Sequence, residues 1–433
     1  MQASLFFRLW VLTFVAVGSG LLTMASRSSA HEPNYDEAKV PEYQLPDPLV
    51  CSDGSPVANA DAWFNHRRPE LLNLFKSQMF GQMPTANCAR LRFEELTCVP
   101  DALHGKATRK EIRIYFNAPE PTPKVDVLLY LPNKAQGPVG AFLGLNFLGN
   151  ENTSHEPDIT AVAISDGARN EADGVERGLN ARRWPYEQII DRGYAVATAY
   201  YEELDPDGDD GFLNGVHTLF DAEYPDRNAG DYPATITAWA WGLSRILDFL
   251  LTQKELDPAR IIVMGHSRLG KTSLWAGAND ERFAAVISND SGCGGSALSR
   301  REFGETVATI NQVFPHWFCK NFKLYGDKVD SLPFDQHELI ALIAPRPVLI
   351  ASAEEDRWAD PKGEFLSLLA ADPVYKFLGS AGLGTVSEQP PVNTPCGQTL
   401  RYHIRTGKHD VTDYDWACFL DFADQIQVNR PLP

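Results

Sequence analysis

Ser267 follows a short apolar run and precedes an apolar-periodic segment. The run Ile261–Met264 predicts a buried strand, and the residues after Gly270 predict a helix. A serine at the apex of a strand–turn–helix presents its hydroxyl above a helix N-terminus, where backbone N–H groups can stabilise an oxyanion. The stretch therefore predicts a nucleophile elbow, although Leu269 occupies the position of the second glycine in the G-x-S-x-G pattern.

A serine hydroxyl needs a base to take its proton, and the base needs a carboxylate to orient it. In hydrolases with this elbow, the chain order is serine, then acid, then histidine. His409 lies in a loop between the last predicted strand and the last predicted helix, where the base belongs. Two acids could orient it. We favour Asp356, which follows the apolar run Val348–Ser352, over Asp290, which follows the preceding strand.

Residues 1–30 have the composition of a secretory signal. Arg8 precedes an apolar run from Leu9 to Met24, and Ser28–Ala30 supplies a small-residue cleavage site. We therefore expect a secreted or periplasmic protein whose mature part, residues 31–433, is one monomeric catalytic domain with an N-terminal extension and loop insertions. After signal cleavage we expect no attachment to a membrane.

The charge and the cysteine pattern narrow the possible partners. A formal net charge of −18 disfavours binding to nucleic acid. Seven cysteines occur without a C-x-x-C pair, so we expect no metal site, and the sequence leaves their disulfide pairing open. The acidic stretch Asp205–Gly211 lacks the glutamate of a calcium loop and is interpreted as a solvated loop.

The same residues around the serine also fit the phosphate-binding P-loop pattern, G-x-x-x-x-G-K-T, from Gly265 to Thr272. That pattern alone leaves a nucleoside triphosphatase open. The context disfavours it, because P-loops normally follow the first strand of their domain and about 230 mature residues precede this one. An exported protein also meets little nucleoside triphosphate.

The elements that must position these side chains follow the pattern of an α/β protein. Runs at 91–98, 110–116 and 125–131 predict antiparallel strands at one edge, and strands then alternate with helices. Such alternation predicts a mostly parallel sheet covered by helices on both faces, with the chemistry at the carboxyl ends of the strands. With an elbow midway along the chain, this is the plan of an α/β-hydrolase.

Several side chains near the elbow could bind a polar substrate. Arg268 and Lys271 could stabilise an oxyanion or hold a polar group, although a lysine here could equally be a solvated helix residue. Trp358 could stack on a sugar face or belong to the core. Glu305 and Gln312 could bond hydroxyl groups or simply be loop residues.

Four segments together resemble the bacterial branch of the glucuronoyl esterases: Gly265–Lys271, Asp290–Gly295, Ala344–Pro347 and Lys408–His409. The resemblance covers most of the mature chain. It implies secreted cleavage of the ester between lignin alcohols and 4-O-methylglucuronic acid on xylan, with no cofactor. Family members differ over which strand supplies the acid, and here both positions hold aspartate.

The resemblance also implies roles for individual residues by matching positions. Ser267 would be the nucleophile and His409 the base, while Arg268 would complete the oxyanion hole. Lys271 and Glu305 would bind sugar hydroxyls, and Trp358 would line the sugar pocket. His266 and Asp410 replace the two cysteines of the fungal branch, so the disulfide of that branch is absent.

Two other functions stay open at this point. An esterase that removes acetyl groups from xylan would use the same triad of serine, histidine and aspartate. A relative without catalytic activity could still bind carbohydrate. The hydrolysis of glucuronate esters and of acetate esters distinguishes these alternatives from the leading hypothesis.

Overall fold

The computed structural model describes residues 32–85, 89–117, 122–161 and 176–426, so the predicted signal at 1–30 lies outside the described residues. From Pro33 onward, the described residues form one compact unit. Among the helices of the described ranges, none is both long enough and apolar enough to cross a membrane.

The centre of the fold is a ten-stranded sheet. The strands are β1 (Arg92–Asp101), β2 (Ala107–Tyr115), β3 (Lys124–Pro132), β4 (Val139–Asn146), β5 (Ala195–Tyr200), β6 (Leu256–His266), β7 (Ala285–Asn289), β8 (Val348–Ala353), β9 (Cys396–Gly397) and β10 (Leu400–Arg405). Their order in the sheet is β1-β2-β3-β5-β4-β6-β7-β8-β10-β9. The strands from β5 to β10 in this order are parallel, whereas β1 to β3 and the short β9 pair antiparallel.

The main helices are α1 (Arg68–Phe75), α2 (Tyr186–Asp191), α3 (Thr235–Leu250), α4 (Arg268–Asn279), α5 (Val307–Val313), α6 (Gln336–Ala341), α7 (Pro361–Phe377) and α8 (Asp413–Asp424). Short α-helical turns at Ala60–Ala62, Ala102–Gly105 and His217–Phe220 join them. The mostly parallel sheet that the sequence predicts is therefore present, with its antiparallel strands at one edge as predicted.

Two apolar cores lie on opposite faces of the sheet because successive side chains of a strand point to opposite sides. In β6, Ile261 and Val263 pack into one core with residues of α3 and α4. Ile262 and Met264 pack into the other core with residues of α2 and α8. The apolar run that reads as a buried strand in the sequence is thus buried on both faces, which fixes the carboxyl end of β6 rigidly at the centre of the sheet.

Candidate active site

Ser267 joins the end of β6 to the start of α4 through a very tight turn. Its backbone has φ 58° and ψ −127°, a conformation that residues other than glycine rarely adopt and that functional sites often retain. A Cβ atom on Gly265 would lie 1.9 Å from the Leu269 carbonyl oxygen, so this turn requires glycine at position 265. The predicted elbow is therefore present, with the serine just before the helix N-terminus.

Gly270 explains why Leu269 can occupy the position of the second glycine. A Cβ atom on Gly270 would lie 3.0 Å from the Ser288 hydroxyl oxygen at the end of β7. The close approach between the helix and the neighbouring strand thus falls one residue later than in the G-x-S-x-G pattern. Having the second glycine at position 270 and not at 269 therefore moves this helix–strand contact by one residue, and Ser267 stays at the apex of the turn.

His409 and Asp356 form a hydrogen-bonded pair beside the elbow. The Nδ1 atom of His409 lies 2.6 Å from an oxygen of the Asp356 carboxylate, which follows β8 and is buried. This acceptor favours the tautomer with the proton on Nδ1 and leaves Nε2 able to accept a proton. The ring centroids of His409 and His266 are 4.4 Å apart, so the imidazole lies next to the residue that precedes Ser267.

Asp290, the second candidate acid, directly follows β7 and is also buried close to this pair. Its carboxylate accepts hydrogen bonds from the Asn289 side-chain amide at 3.1 Å and from the backbone N–H of Asp410 at 3.3 Å. Burial, together with the negative charges of Glu364 and Asp356, raises the pKa of Asp290 well above its ordinary value. Both candidate acids are thus placed at the imidazole, and Asp356 is the one hydrogen-bonded to it.

A metal ion could be held only by this same cluster, as far as the described residues extend. Ligand atoms of Asp290, Asp356 and His409 lie within 4.8 Å of one another. Within the cluster, Nδ1 of His409 is hydrogen-bonded to the Asp356 carboxylate at 2.6 Å. The arrangement therefore suits proton transfer.

Arg405, at the end of β10, holds the loop that carries His409. Its guanidinium donates to the carbonyl oxygens of Thr406 at 3.1 Å and Asp410 at 2.6 Å, one on each side of the histidine. It also contacts two buried carboxylates, Asp415 at 2.6 Å and Asp290 at 3.5 Å. Sequence reasoning missed this residue, although an arginine at the end of a buried strand needs carboxylate partners and signals such a network.

Arg268 is fixed by an aspartate that the sequence analysis assigned to the wrong environment. The Arg268 guanidinium forms an ion pair with Asp207, whose carboxylate also accepts from His316 Nε2 at 2.7 Å and Trp317 Nε1 at 2.6 Å. The side chains of Asp205 and Asp207 are buried, so the interpretation of Asp205–Gly211 as a solvated loop was wrong for these two residues, whereas Asp209 is exposed. The Asp207 carboxylate turns inward because cationic and N–H partners from distant segments compensate its charge.

The charge state of Asp207 follows from these partners. Burial acts to raise the pKa of Asp207, but the hydrogen bonds from His316 and Trp317 and the positive charge of Arg268 lower it to about 2. The Arg268 guanidinium also lies over the Trp317 ring, 4.9 Å from its centroid. Arg268 therefore starts α4 with its cationic end held in one place beside the elbow.

Lys271 and Glu305 form a buried pair of opposite charges near the elbow. Lys271 is 4% exposed, and its amine donates to the Ser291 carbonyl oxygen at 2.5 Å, in the loop that follows β7. Burial lowers the pKa of Lys271 and raises that of Glu305, and each residue opposes the shift of the other. This inward position of the lysine contradicts the solvated-helix alternative, and its bond to the loop after β7 gives the P-loop interpretation no support.

Trp358 and Gln312 differ in how they relate to this pair. The carbonyl oxygen of Trp358 accepts from the backbone N–H of Glu305 at 3.0 Å. Trp358 is nevertheless 41% exposed, so its ring offers a free face next to the buried charges. Gln312 lies on the exposed side of α5, and its side chain makes no hydrogen bond to the residues that the structure describes, so its role stays a prediction.

Comparisons with known proteins agree on one family. A family model described as glucuronyl esterase of fungi matches residues 214–379. A carbohydrate esterase from an unknown prokaryotic organism is 48% identical over 401 residues, which cover 90% of this chain and 91% of that protein.

Two solved structures resemble the chain over nearly their whole length. A promiscuous CE15 esterase from the marine bacterial metagenome has a TM-score of 0.83 and 47% identity, covering 92% of this chain and 100% of that one. The glucuronoyl esterase from Solibacter usitatus has a TM-score of 0.83 and 42% identity, covering 90% of this chain and 99% of that one. The similarity therefore extends over both the sheet and the loops that carry the candidate residues.

Proposed function

The chain belongs to the glucuronoyl esterase family, carbohydrate esterase family 15, and we propose that it hydrolyses esters of 4-O-methylglucuronic acid with Ser267 as the nucleophile. The natural substrate would be the ester that joins a glucuronic acid side chain of xylan to an alcohol of lignin. The observation that carries the proposal is the hydrogen-bonded pair of His409 and Asp356, which lies beside a serine in a strained elbow conformation.

The reaction would proceed through an acyl-enzyme. The Ser267 oxygen attacks the uronoyl carbonyl carbon while Nε2 of His409 takes the hydroxyl proton. The tetrahedral intermediate collapses when the bond to the alcohol breaks and His409 gives the proton to the departing oxygen. Water then attacks the acyl-enzyme by the same route and releases glucuronic acid. Asp356 stabilises the imidazolium at both stages through its hydrogen bond to Nδ1.

Arg268 would stabilise the negative charge that develops on the carbonyl oxygen. Its backbone N–H stands at the first position of α4, and the start of a helix favours an anion. Its guanidinium can add a positive charge without a large reorganisation, because Asp207 already fixes it. Asp207 therefore acts in this proposal through Arg268, as a positioning residue.

The sugar would bind over Lys271, Glu305 and Trp358. A buried amine and carboxylate that compensate each other can donate to and accept from hydroxyl groups of a pyranose, and the exposed indole can stack on its apolar face. The pocket thus combines both kinds of contact that carbohydrate recognition requires. Gln312, on α5, would contact a substrate only where it extends beyond this pocket.

We also propose that residues 1–30 direct export to the periplasm or the cell exterior, and that the mature protein acts as a monomer. The proposal of export rests on the composition of residues 1–30. Edman sequencing of protein recovered from the expressing cells, which gives the new N-terminus, would test the cleavage. A product that starts at Met1 would contradict it.

The test of the activity compares two substrates and two serine variants. Wild-type protein should hydrolyse benzyl glucuronate faster than 4-nitrophenyl acetate, and Ser267→Ala should lower kcat by several powers of ten. Ser387→Ala, which changes an exposed serine, is the matched control and should keep the wild-type rate. A preference for the acetate would identify an acetyl esterase, and Ser267→Ala with near-wild-type kcat would exclude Ser267 as the nucleophile.

A further inference from the structure

A segment near the start of the described chain crosses both loops that carry Glu305 and Trp358. We call residues Asn34–Lys39 the N-terminal strap. Its Asn34 carbonyl oxygen accepts from the backbone N–H of Gly304 at 2.8 Å, next to Glu305. Its Tyr35 carbonyl oxygen accepts from the guanidinium of Arg357, the residue before Trp358. The strap therefore bonds to the immediate neighbour of each pocket residue.

A side chain of the strap also binds both loops, at residues farther from the pocket. The Glu37 carboxylate accepts from Arg301 at 2.6 Å and from Lys362 at 2.7 Å. Arg301 precedes Glu305 by four residues and Lys362 follows Trp358 by four, so one carboxylate joins the two loops from outside. The Tyr35 ring also packs edge-on against Phe303, with the ring centroids 6.1 Å apart.

The loops of Glu305 and Trp358 contact each other through their main chains, with no room for a side chain between them at Gly304. Gly304 has φ +65°, and a Cβ atom there would lie 2.4 Å from the Trp358 carbonyl oxygen. The Glu305 N–H donates to that same carbonyl at 3.0 Å. Asn34, Gly304 and Trp358 thus form a stack of three main-chain segments, in which the strap is the outermost layer.

From this arrangement we propose that the N-terminal strap is a positioning element of the sugar pocket, which orders the loops of Glu305 and Trp358 before substrate binds. The inference rests on the proposed function, because it takes these two residues as the sugar-binding ones. The strap would act on substrate binding and not on the catalytic step, since it touches neither Ser267 nor His409 in the described structure.

The expected consequence concerns substrate binding more than the chemical step. Loops that are ordered in advance lose little conformational entropy when the sugar binds, whereas loosened loops must be ordered at the expense of affinity. Asp356 shares a loop with Trp358, but the backbone N–H of Glu355 donates to the Gly407 carbonyl oxygen at 3.0 Å and so ties the Asp356 end of that loop to the loop of His409. Loss of the strap contacts should therefore raise KM and leave kcat nearly unchanged.

The test uses the double variant Tyr35→Ala/Glu37→Ala of the full chain with benzyl glucuronate as substrate. We expect KM to rise about 3- to 10-fold, with kcat within about twofold of the wild type. Arg192→Ala is the matched control, because it also removes an exposed residue that joins two partners, Asp421 and Asp424, and it should keep both constants. Both proteins should melt within a few degrees of the wild type, because Glu37 and Arg192 are exposed and Arg301 keeps its ion pair with Asp360.

Trp358→Ala separates failure of the strap proposal from failure of the pocket assignment. If Trp358→Ala raises KM while the strap variant keeps the wild-type KM, the strap has no positioning role and the proposed pocket stands. If Trp358→Ala leaves KM unchanged, the pocket assignment is wrong and the strap proposal falls with it. A strap variant whose kcat falls as much as its KM rises would also overturn the proposal, because the catalytic residues would then depend on the strap.

Discussion

Asp290 and Asp356 lie with carboxylate oxygens within 4.8 Å of each other, at the ends of the adjacent parallel strands β7 and β8. Asp356 is the one hydrogen-bonded to His409, at 2.6 Å. Two carboxylates this close repel each other when both are ionised, and Arg405, 3.5 Å from Asp290, compensates part of that charge. Asp356 is therefore the acid that is bonded to the imidazole, and Asp290 is a second acid beside it whose pKa is raised.

Asp356→Asn and Asp290→Asn should lower activity by very different factors. The amide at position 356 lacks the negative charge that stabilises the imidazolium, and its NH₂ group can favour the wrong tautomer of His409. We therefore expect kcat on benzyl glucuronate to fall by about 10²- to 10⁴-fold. The amide at position 290 leaves the 2.6 Å bond intact, so its effect should be about tenfold or less.

Steady-state kinetics of both variants at one pH, with circular dichroism to confirm folding, provide the measurement. A larger loss in Asp290→Asn than in Asp356→Asn would assign the orienting role to Asp290. Equal and negligible losses would mean that neither carboxylate orients His409.

Asp207→Asn should reduce kcat through Arg268. Without the negative charge, the guanidinium of Arg268 loses the ion pair that fixes it beside the elbow. We expect kcat to fall by about 10- to 100-fold, the range for a loss of roughly 1.4–2.8 kcal/mol of transition-state stabilisation. Asp209→Asn, in the same loop but exposed, is the control and should keep the wild-type kcat.

The same aspartate should leave a signature in the pH dependence of stability. Its folded pKa of about 2 is below the ordinary value of 3.8, so ionised Asp207 stabilises the fold at pH values above about 4. That contribution is lost as the pH falls from about 4 towards 2, and the shift corresponds to about 2 kcal/mol.

Urea unfolding of wild-type protein and Asp207→Asn at several pH values measures this contribution. The difference in unfolding free energy between the two proteins should shrink as the pH falls below 4. A difference that stays constant from pH 6 down to the acid limit of folding would contradict the low pKa of Asp207.

The parts of the fold that the sequence predicts correctly depend on local pattern. The apolar run Ile261–Met264 is buried on both faces of the sheet, as a run without alternating polar residues indicates. The order of serine, acid and histidine along the chain similarly placed Ser267, Asp356 and His409, and the structure brings the last two into contact. The family resemblance is confirmed by relatives that match nearly the whole chain.

The parts that the sequence does not predict depend on partners far away in the chain. Asp207 looks like one of several solvated aspartates until Arg268, His316 and Trp317 are seen around it, 61 to 110 residues later. The strap residue Glu37 gives no signal in the sequence, because Arg301 lies 264 positions away. A charged residue's environment is set by such long-range contacts, whereas strand and elbow patterns are set by near neighbours.

The side chain of His409 is 42% exposed, although Asp356 beneath it is buried. The proposed general base thus stands at the boundary with solvent, on a loop that follows β10. A substrate that forms part of a cross-linked wall polymer would need to bring only one short branch to this rim, while the backbone of the polymer stays outside. An exposed base of this kind lets an enzyme cut a junction between two insoluble chains without threading either of them through the protein.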